Sequence, residues 1–367
     1  MQETAVRILV APLDWGLGHA TRCIPIIEAL TRRGCNVLIA GSGLGGELLR
    51  KRFPNLVFEP LPSYNITYPR KGSMVLHLLR QMPRLLSVIR GERRALEQII
   101  AKYQISHVIS DNRYGLYNSA AKCIFMTHQI HVSSGGNWQW IDQLLFVLHR
   151  EFIEKFDKVW IVDEPANDEG KWAAKLSSHK GLRIPYHFVG LLSRFSHQGS
   201  NQEPKEKLFQ RIALLSGPEP QRTLLEKKMS AYFNDLPGMS LVVRGAAGDE
   251  AIVEKNTTIL NSIDDSTLKK VISGNPIVYC RSGYSTLMDL LHLHHTRAVL
   301  IPTPGQTEQA YLADRFARMY GFTLTQQSMM FPEEAEIADA RYPKLDSRNF
   351  LEESIDGLLD ESSHRPV

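Results

Sequence analysis

Short apolar runs alternate with longer amphipathic segments along most of the chain. In the first half, the segments at 20–33, 73–102 and 137–156 repeat apolar residues with the 3.6-residue period of helices. Strands that alternate with helices form βαβ units, so this half predicts a parallel sheet. Its strands are predicted at 6–11, 36–40, 56–60, 105–110, 123–127 and 158–162.

The alternation stops near residues 187–192 and resumes after a polar stretch at 193–207. We interpret this stretch as a linker between two α/β domains, at 1–192 and 208–345, each a doubly wound parallel sheet. A helix and tail at 346–367 complete the chain. The strands of the second domain are predicted at 212–216, 240–244, 257–260, 276–280 and 298–301.

The length and composition fit this division and exclude several classes of protein. A chain of 367 residues is too long for one ordinary core. Its 43% hydrophobic and 22% charged residues are typical of a globular protein, not of a disordered or collagen-like one. No apolar run reaches the roughly 18–20 residues of a membrane span, and no secretory leader is recognised, so we expect a cytoplasmic protein. Four scattered cysteines without a CxxC pair indicate reduced thiols.

Charge is divided unevenly between the two halves. Residues 1–195 carry a net charge of +9 and the remainder −5, which indicates an anionic partner for the first half. The basic stretch at 68–102, with interleaved leucines, has two interpretations: a surface for anionic lipid headgroups, or a solvated helix whose apolar side enters the core. It lacks interleaved aromatic residues, which disfavours nucleic acid as a partner.

A glycine-rich loop follows the first predicted strand, in the motif DWGLGHATR. Gly16 and Gly18 let the backbone turn sharply, and the helix start behind them can bind a phosphate or an acceptor. A dinucleotide site would also need an acidic residue at the end of the second strand, where this chain reads IAGS. A nicotinamide-binding site is therefore disfavoured. We predict a functional role for His19, because it lies on this glycine loop at a strand end, where open α/β sheets bind ligands.

Asp111 follows the fourth predicted strand and would lie at the same edge. Its carboxylate is predicted either to serve this site or to cap a helix starting near Tyr114, and the two roles are compatible. His128 and His131 follow the next strand and are each predicted to be ordinary loop residues. A further group of histidines is predicted to lie on the surface and to bind no metal: His292, His294 and His295.

The second half contains the strongest motif, YCRSGYSTLMD, followed by IPTPGQTEQ. Ser282, Gly283 and Tyr284 place small groups and N–H donors at a helix start, which suits a diphosphate without a metal. Asp289 lies about one turn further on and can accept hydrogen bonds from ribose hydroxyls. Gln309 on the following helix can bond to sugar hydroxyls.

A fourth motif, SGPEPQR, follows the first strand of the second domain. Arg222, in the first turn of the helix behind it, could neutralise a diphosphate leaving group, and a simple N-terminal turn is the alternative interpretation. Arg244 ends the next predicted strand and is expected to point at the same edge of the sheet.

The pair CRSGYSTLMD and IPTPGQTEQAYLA resembles the donor-binding region of MurG-like glycosyltransferases, of the glycosyltransferase family 28 group. The motif GLGH at 16–19 resembles the N-terminal motif of the same family. Together with the alternation of strands and helices in two successive domains, the resemblance covers nearly the whole chain. It implies the GT-B fold, in which two tandem Rossmann-like domains face each other across a cleft.

The resemblance also implies roles for residues of the second domain. Ser282 and Gly283 would contact the diphosphate. Asp289, which replaces the usual Glu, would hold the ribose, and Gln309 the donor sugar. Glu308 stands where a basic residue is usual, so the identity of the sugar is left open. The rest of the donor site would consist of Ser216, Gly217, Arg222, Arg244, Arg281, Tyr284, Thr303 and Gln306.

The activity that the resemblance implies is an inverting transfer of N-acetylglucosamine or another hexose from a UDP-sugar to an acceptor hydroxyl, without a metal or other cofactor. The acceptor would be lipid-linked or a cell-envelope glycan, met at the inner face of the cytoplasmic membrane. His19 would be the general base, with Asp111 as its competitor or its orienting partner. The alternatives are a UDP-sugar 2-epimerase of the same architecture and a nucleotide-sugar-binding protein without turnover.

Overall fold

The computed structural model describes residues 6–65, 74–134, 139–196, 208–217 and 219–363, without the side chains of 74–80 and 361–363. These residues divide into two compact units. As far as the chain is described, the first consists of Met1–Ile66, Val75–Leu192 and Asp346–Val367, and the second contains Ser193–Leu345. Parts of four predicted segments lie outside the described residues: the basic stretch at 68–102, the helix at 137–156, the linker at 193–207 and the tail at 346–367.

The first unit is built on a seven-stranded parallel sheet with a short hairpin beside it. Its strands are β1 (Arg7–Pro12), β2 (Asn36–Gly41), β3 (Val57–Pro60), β4 (His107–Asp111), β5 (Lys122–Thr127), β6 (Lys158–Ile161), the hairpin strands β7 (Pro165–Ala166) and β8 (Glu169–Gly170), and β9 (Tyr186–Phe188). The sheet order is β3-β2-β1-β4-β5-β6-β9. The order therefore reverses between β1 and β4, which is where doubly wound sheets open a crevice for ligands.

Four helices connect these strands: α1 (Leu17–Arg32), α2 (Gly43–Arg52), α3 (Met74–Tyr103) and α4 (Gln139–Ile153). Buried side chains of α3 and α4 pack against one face of the sheet, where Leu96 and Phe146 belong to the same apolar cluster as Leu9 and Val108. This packing leaves the carboxyl ends of β1 and β4 to the loops that carry the predicted chemistry.

The second unit has the same architecture, a seven-stranded sheet with connecting helices, but one edge strand of its sheet is antiparallel. Its strands are β10 (Arg211–Leu214), β11 (Ser240–Val243), β12 (Ala251–Glu254), β13 (Thr257–Leu260), β14 (Ile277–Cys280), β15 (Ala298–Leu300) and β16 (Thr323–Leu324). They lie in the order β12-β13-β11-β10-β14-β15-β16, and all pairs are parallel except β12 with β13. The helices are α5 (Gln221–Asn234), α6 (Asp265–Ser273), α7 (Tyr284–His292) and α8 (Thr307–Tyr320).

A last helix, α9 (Phe350–Ser363), belongs to the first unit. Ile355 and Leu358 on its inner side are buried. Arg33, at the end of α1, donates from Nε to Asp356 Oδ1 at 3.0 Å. An apolar contact face with ion pairs at its rim therefore fixes α9 to α1.

The predicted strands all exist, with ends that shift by one or two residues. Among the elements given above, those not predicted are the helix α2, the hairpin β7–β8 and the edge strands β9, β12 and β16. Each is short or carries few buried apolar residues, so the periodicity of the sequence is weak there. The predicted parallel sheets are confirmed, and the unpredicted strand β12 pairs antiparallel with β13, with its four residues exposed at the edge of the second sheet.

Candidate functional site

The first glycine loop leads directly into α1. Gly16 precedes the helix with φ of +88°, a left-handed conformation that favours glycine. The helix begins at Leu17, whereas the sequence placed its start at Ala20, so Gly18 and His19 lie in the first turn. The side chain of His19 is 14% exposed at this edge of the sheet.

His19 and Asp111 lie together, as the sequence predicted for residues at one sheet edge. Asp111 is the last residue of β4 and pairs in register with Pro12 at the end of β1. His19 Nδ1 lies 3.1 Å from Asp111 Oδ2. Residues 112–121 form turns and extended chain, so the predicted alternative of a helix cap for Asp111 was wrong. Parallel pairing of two neighbouring strands therefore assembles an imidazole–carboxylate pair.

Arg22 is a third member of this cluster, for which the sequence predicted no role. It is 2% exposed, and it donates from Nε to Asp111 Oδ2 at 2.7 Å and from Nη2 to Asp111 Oδ1. The signal in the sequence was the spacing GHxxR, because residues three apart share a face of a helix. Burial raises the pKa of Asp111, but the charges of Arg22 and His19 outweigh it and hold the pKa at about 2.

His128 and Cys23 complete the cluster. His128 is 5% exposed, and its Nδ1 lies 2.7 Å from Arg22 Nη1, so it is not the ordinary loop residue that the sequence predicted. Cys23 Sγ lies 3.9 Å from Asp111 Oδ2, and burial together with this carboxylate raises the pKa of the thiol. His131 is separate, since its ring stacks on Phe146 at 4.1 Å.

We expect Asp111 to contribute about 2 kcal/mol to the stability of the first unit above pH 4, and to lose this contribution as the pH falls to about 2. The sign follows because the folded pKa is about 2 and the unfolded value is about 3.9, so acid protonates the unfolded chain first. Between about pH 5 and about pH 3, the free energy of unfolding measured with urea should fall less for Asp111→Asn than for the wild type. An equal loss in both proteins would contradict the prediction.

In the second unit, Gln309 connects two of the predicted donor-binding loops. Its Oε1 accepts from the backbone N–H of Thr303 at 2.8 Å, and its carbonyl accepts from Ser282 Oγ at 2.8 Å. Gly283 lies beside it, because a Cβ added there would be 3.9 Å from Gln309 Nε2. The loops behind β14 and β15 are thus held together at the start of α7, whose first residue is Tyr284.

The loop behind β10 reaches the same place. Gly217 has φ of +100°, and a Cβ added there would be 3.6 Å from Thr303 Oγ1. Thr303 is 2% exposed, and its hydroxyl has no protein partner among the described residues. Ser216 precedes Gly217, Gln306 caps α8, and Pro218 lies outside the described residues. Three loops at neighbouring strand ends therefore surround one buried hydroxyl, at the point where the order of this sheet reverses between β10 and β14.

Asp289 is buried on α7 and contacts the start of the second unit. Ser193 Oγ donates to its Oδ1 at 2.6 Å, and Arg194 Nε donates to its Oδ2 at 3.0 Å. Burial raises the pKa of Asp289 against the opposing charge of Arg194. Arg194 also donates to Asp265 at 3.2 Å. Two carboxylates thus surround Arg194, a residue that the sequence assigned only to the linker.

The three arginines that the sequence predicted for the donor site make contacts within the protein. Arg281 is fully buried and donates to the carbonyls of Ile301 and Gln221, and burial lowers its pKa to about 10. Arg244 donates to Glu226 at 2.9 Å and to Asn261 at 3.0 Å. Arg222 donates to Glu219 at 2.9 Å and to the carbonyl of Gly245 at 3.3 Å.

Arg281 therefore supports the loops from inside the unit, whereas the side chains of Arg222 and Arg244 are 19% and 18% exposed.

The prediction of three surface histidines was wrong for His295. It is 3% exposed, and its Nε2 lies 3.0 Å from the carbonyl oxygen of Arg297. His292 Nδ1 lies 3.2 Å from the carbonyl oxygen of Met288, and His294 is exposed. The three rings serve different contacts and do not form one site.

The basic stretch forms α3, and four of its arginines are exposed on the described part: Arg84, Arg90, Arg93 and Arg94. Leu96 and Ile99 of the same helix enter the core of the first unit. The helix therefore buries its apolar side, as the second interpretation of this stretch predicted. None of the described helices is long and apolar enough to cross a membrane.

Comparisons with known proteins agree on the fold. The chain is 23% identical over 318 residues to an uncharacterized glycosyltransferase of Methanosarcina acetivorans, which covers 83% of this chain and 81% of the relative. It is similar in structure to the glycotransferase of kitacinnamycin, with a TM-score of 0.60, 14% identity and coverage of 97% of this chain and 94% of the other. The rhamnosyltransferase SpnG of spinosyn, complexed with thymidine diphosphate, has a TM-score of 0.52 and 16% identity over 85% of this chain and 84% of its own.

No family model matches the chain. The fold is the GT-B fold of glycosyltransferases, so the fold class that the sequence resemblance implied is confirmed.

Proposed function

We propose that this protein is a glycosyltransferase that moves a hexose from a nucleoside-diphosphate sugar to an acceptor hydroxyl. The observation that carries the proposal is the pair His19 and Asp111, 3.1 Å apart at the point where the first sheet reverses its order. A transferase of this fold must remove a proton from the acceptor hydroxyl, and an imidazole oriented by a carboxylate does so at neutral pH. The second unit offers the loops for the donor.

The direct displacement that we propose inverts the anomeric carbon. The acceptor oxygen attacks that carbon, its proton passes to His19, and the bond to the diphosphate breaks with both electrons on the leaving group. Asp111 then balances the imidazolium. The N–H groups at the start of α7 and the charge of Arg222 stabilise the diphosphate, so the reaction needs no metal.

The donor that we propose is a UDP-sugar, with N-acetylglucosamine or another hexose as the sugar. The resemblance at 280–289 supports uridine, whereas the solved relative SpnG binds thymidine diphosphate. Both are pyrimidine nucleotides, so binding experiments must separate the two bases. Gln309 and Gln306 at the start of α8 are the side chains that we propose for the sugar.

The acceptor that we propose is lipid-linked or a cell-envelope glycan, brought to the protein at the cytoplasmic face of the membrane. The exposed arginines of α3 support this assignment, because a row of cations attracts anionic headgroups. Nucleic acid is not proposed as a partner.

Two other functions make different predictions for the same site. A UDP-sugar 2-epimerase would convert its donor without an acceptor, and a binding protein would hold the nucleotide without turnover. Product analysis with and without acceptors separates the three. The pair of His19 and Asp111 favours a catalytic role, since a binding protein has no need of a proton acceptor there.

We expect a uridine nucleotide to stabilise the protein without Mg²⁺, raising Tm by about 5 °C at saturating concentration. The screen compares UDP, UDP-N-acetylglucosamine, UDP-galactose, dTDP and GDP-mannose. Gly283→Val should weaken this binding by at least about tenfold, because its side chain would fill the space above the start of α7.

The backbone φ of Gly283 is not left-handed, and its Cβ would make only an ordinary contact, so this variant should fold. Gly357→Ala, on α9 with open space around its Cβ, is the matched control and should bind as the wild type does. If none of the nucleotides raised Tm, the proposed donor site would be wrong.

A further inference from the structure

One threonine hydroxyl in the second unit is buried without a partner. Thr303 follows β15 and is 2% exposed, and its Oγ1 has no hydrogen-bond partner among the described residues. A buried hydroxyl without a hydrogen bond lowers the stability of a folded protein, so most such groups are paired. The residue is nevertheless fixed in place, because its backbone N–H donates to Gln309 Oε1 at 2.8 Å. The hydroxyl therefore has a defined position and an unused capacity for hydrogen bonding.

A buried positive charge lies next to this threonine. Arg281 is fully buried, and its Nη1 donates to the carbonyls of the two residues before Thr303, Ile301 at 3.1 Å and Pro302 at 3.3 Å. Its two other acceptors are also neutral oxygens, so in the described part of the chain no carboxylate balances the guanidinium. Its Nε has no partner there either. A buried cation without a counter-ion is unfavourable, and a bound anion would compensate it.

The start of α7 adds positive potential at the same place. Ser282 Oγ donates to the carbonyl of Gln309, the residue whose side chain accepts from Thr303. Ser282 and Gly283 directly precede α7, which has no acidic residue in its first turn. The N-terminus of a helix carries a partial positive charge and attracts phosphate. The unpaired hydroxyl, the guanidinium and the helix start therefore favour an anionic ligand with oxygens that accept hydrogen bonds.

We propose that Thr303 donates a hydrogen bond to a phosphate oxygen of the donor's diphosphate, and that its hydroxyl is kept for this contact although it lowers the stability of the protein without a ligand. The inference rests on the proposed function, because it concerns the donor of the transfer. A threonine hydroxyl has one hydrogen to donate, and an ionised phosphate oxygen is a strong acceptor. The ligand thus supplies the partner that the protein itself does not.

The loop behind β10 lies against the hydroxyl and is expected to shift when the phosphate binds. Gly217 in this loop has φ of +100°, and a Cβ added there would lie 3.6 Å from Thr303 Oγ1. Because glycine has no side chain, only its backbone faces the hydroxyl. Substrate-induced movement of such loops is common in enzymes.

Thr303→Val tests the contact, because valine has nearly the shape of threonine and lacks the hydroxyl. The affinity of the full chain for UDP and for inorganic pyrophosphate is measured by titration calorimetry without Mg²⁺. The variant should bind both at least about tenfold more weakly than the wild type, the usual contribution of a hydrogen bond to a charged group. Thr303→Ser keeps the hydroxyl and should bind within about threefold of the wild type.

The stability of the same variant separates a ligand contact from a structural role. Without ligand, Thr303→Val removes a buried hydroxyl that has no partner, so its Tm should equal that of the wild type or exceed it by about 2 °C. Thr296→Val is the matched control, because Thr296 lies before the same strand and its hydroxyl donates to Asp339 at 2.8 Å. This control should have a lower Tm and unchanged affinity for both ligands.

A Thr303→Val protein that binds UDP and pyrophosphate as tightly as the wild type would overturn the inference. A fall in its Tm like that of Thr296→Val would do the same, and so would a wild-type protein that binds neither ligand. The proposed function fails in a different way. If both ligands bind through Thr303 but no sugar reaches any acceptor, the phosphate contact stands and the transfer reaction is wrong.

Discussion

Replacing His19 by Ala is expected to lower the rate of sugar transfer by about a thousandfold, the usual contribution of a general base. Asp111→Asn should lower it by at least about tenfold, because the carboxylate balances the imidazolium that forms. The measurement is the initial rate of nucleotide release, with the donor that the binding screen selects and a panel of hydroxyl acceptors. Binding of the nucleotide should change little, since both residues belong to the first unit and the proposed donor loops to the second.

His294→Gln is the control for this experiment, because His294 is exposed and lies away from the contacts described above. It should retain the wild-type rate. If His19→Ala and Asp111→Asn both transferred sugar within a few-fold of the wild type, the proton acceptor would have to be another group.

Glu92→Ala is expected to destabilise the first unit by about 3–5 kcal/mol, because it leaves a buried guanidinium without its carboxylate. Glu92 and Arg113 are both fully buried, and Arg113 Nη1 donates to Glu92 Oε1 at 2.8 Å. Glu92 Oε2 also accepts from Tyr64 Oη and from the N–H of Gly115, each at 2.9 Å. Burial raises the pKa of Glu92 against the charge of Arg113.

The ion pair of Glu92 and Arg113 also supports the candidate active site. Arg113 donates to the carbonyl of Pro12 at 2.7 Å, to that of Pro62 at 3.1 Å and to Ser42 Oγ at 2.7 Å. Pro12 ends β1, directly before the loop that carries His19. Loss of Glu92 should therefore loosen this edge of the sheet as well as lower the free energy of unfolding.

Urea unfolding followed by tryptophan fluorescence measures this effect selectively, because all five tryptophans of the chain lie before residue 173 and so within the first unit. Glu97→Ala on the same helix is the matched control. Glu97 is half exposed and its carboxylate lies 3.8 Å from Arg93, so its loss should change the stability by less than about 1 kcal/mol. A Glu92→Ala protein within that range of the wild type would refute the prediction.

The position of the candidate active site followed from the sequence, whereas the network around it did not. His19 and Asp111 could be placed together because each follows a buried apolar run, and the ends of neighbouring parallel strands meet at one edge. Arg22 was visible only as a spacing of three from His19. Its contact with His128 joins residues 106 apart, and no local pattern reports that distance.

For the donor loops, too, the sequence predicted which residues lie together but not all of the contacts around them. The motif that starts at Tyr279 identified Ser282, Gly283 and Gln309, and the structure holds these residues together. Their roles toward a ligand remain predictions. The sequence did not show that Arg281 is buried or that Asp289 contacts Ser193 and Arg194, because burial depends on which strands become neighbours.

The sequence by itself determined the long helices, the central strands, the two α/β domains and the strand ends at which chemistry can occur, since hydrophobic periodicity records which side of each element is buried. The tertiary structure alone decided which charges are paired. Glu92 with Arg113, Arg22 with Asp111 and Arg194 with Asp289 are each brought together from different elements of the fold. A buried charge is stable only beside its partner, and the partner is chosen by the packing of the whole unit, not by neighbouring residues.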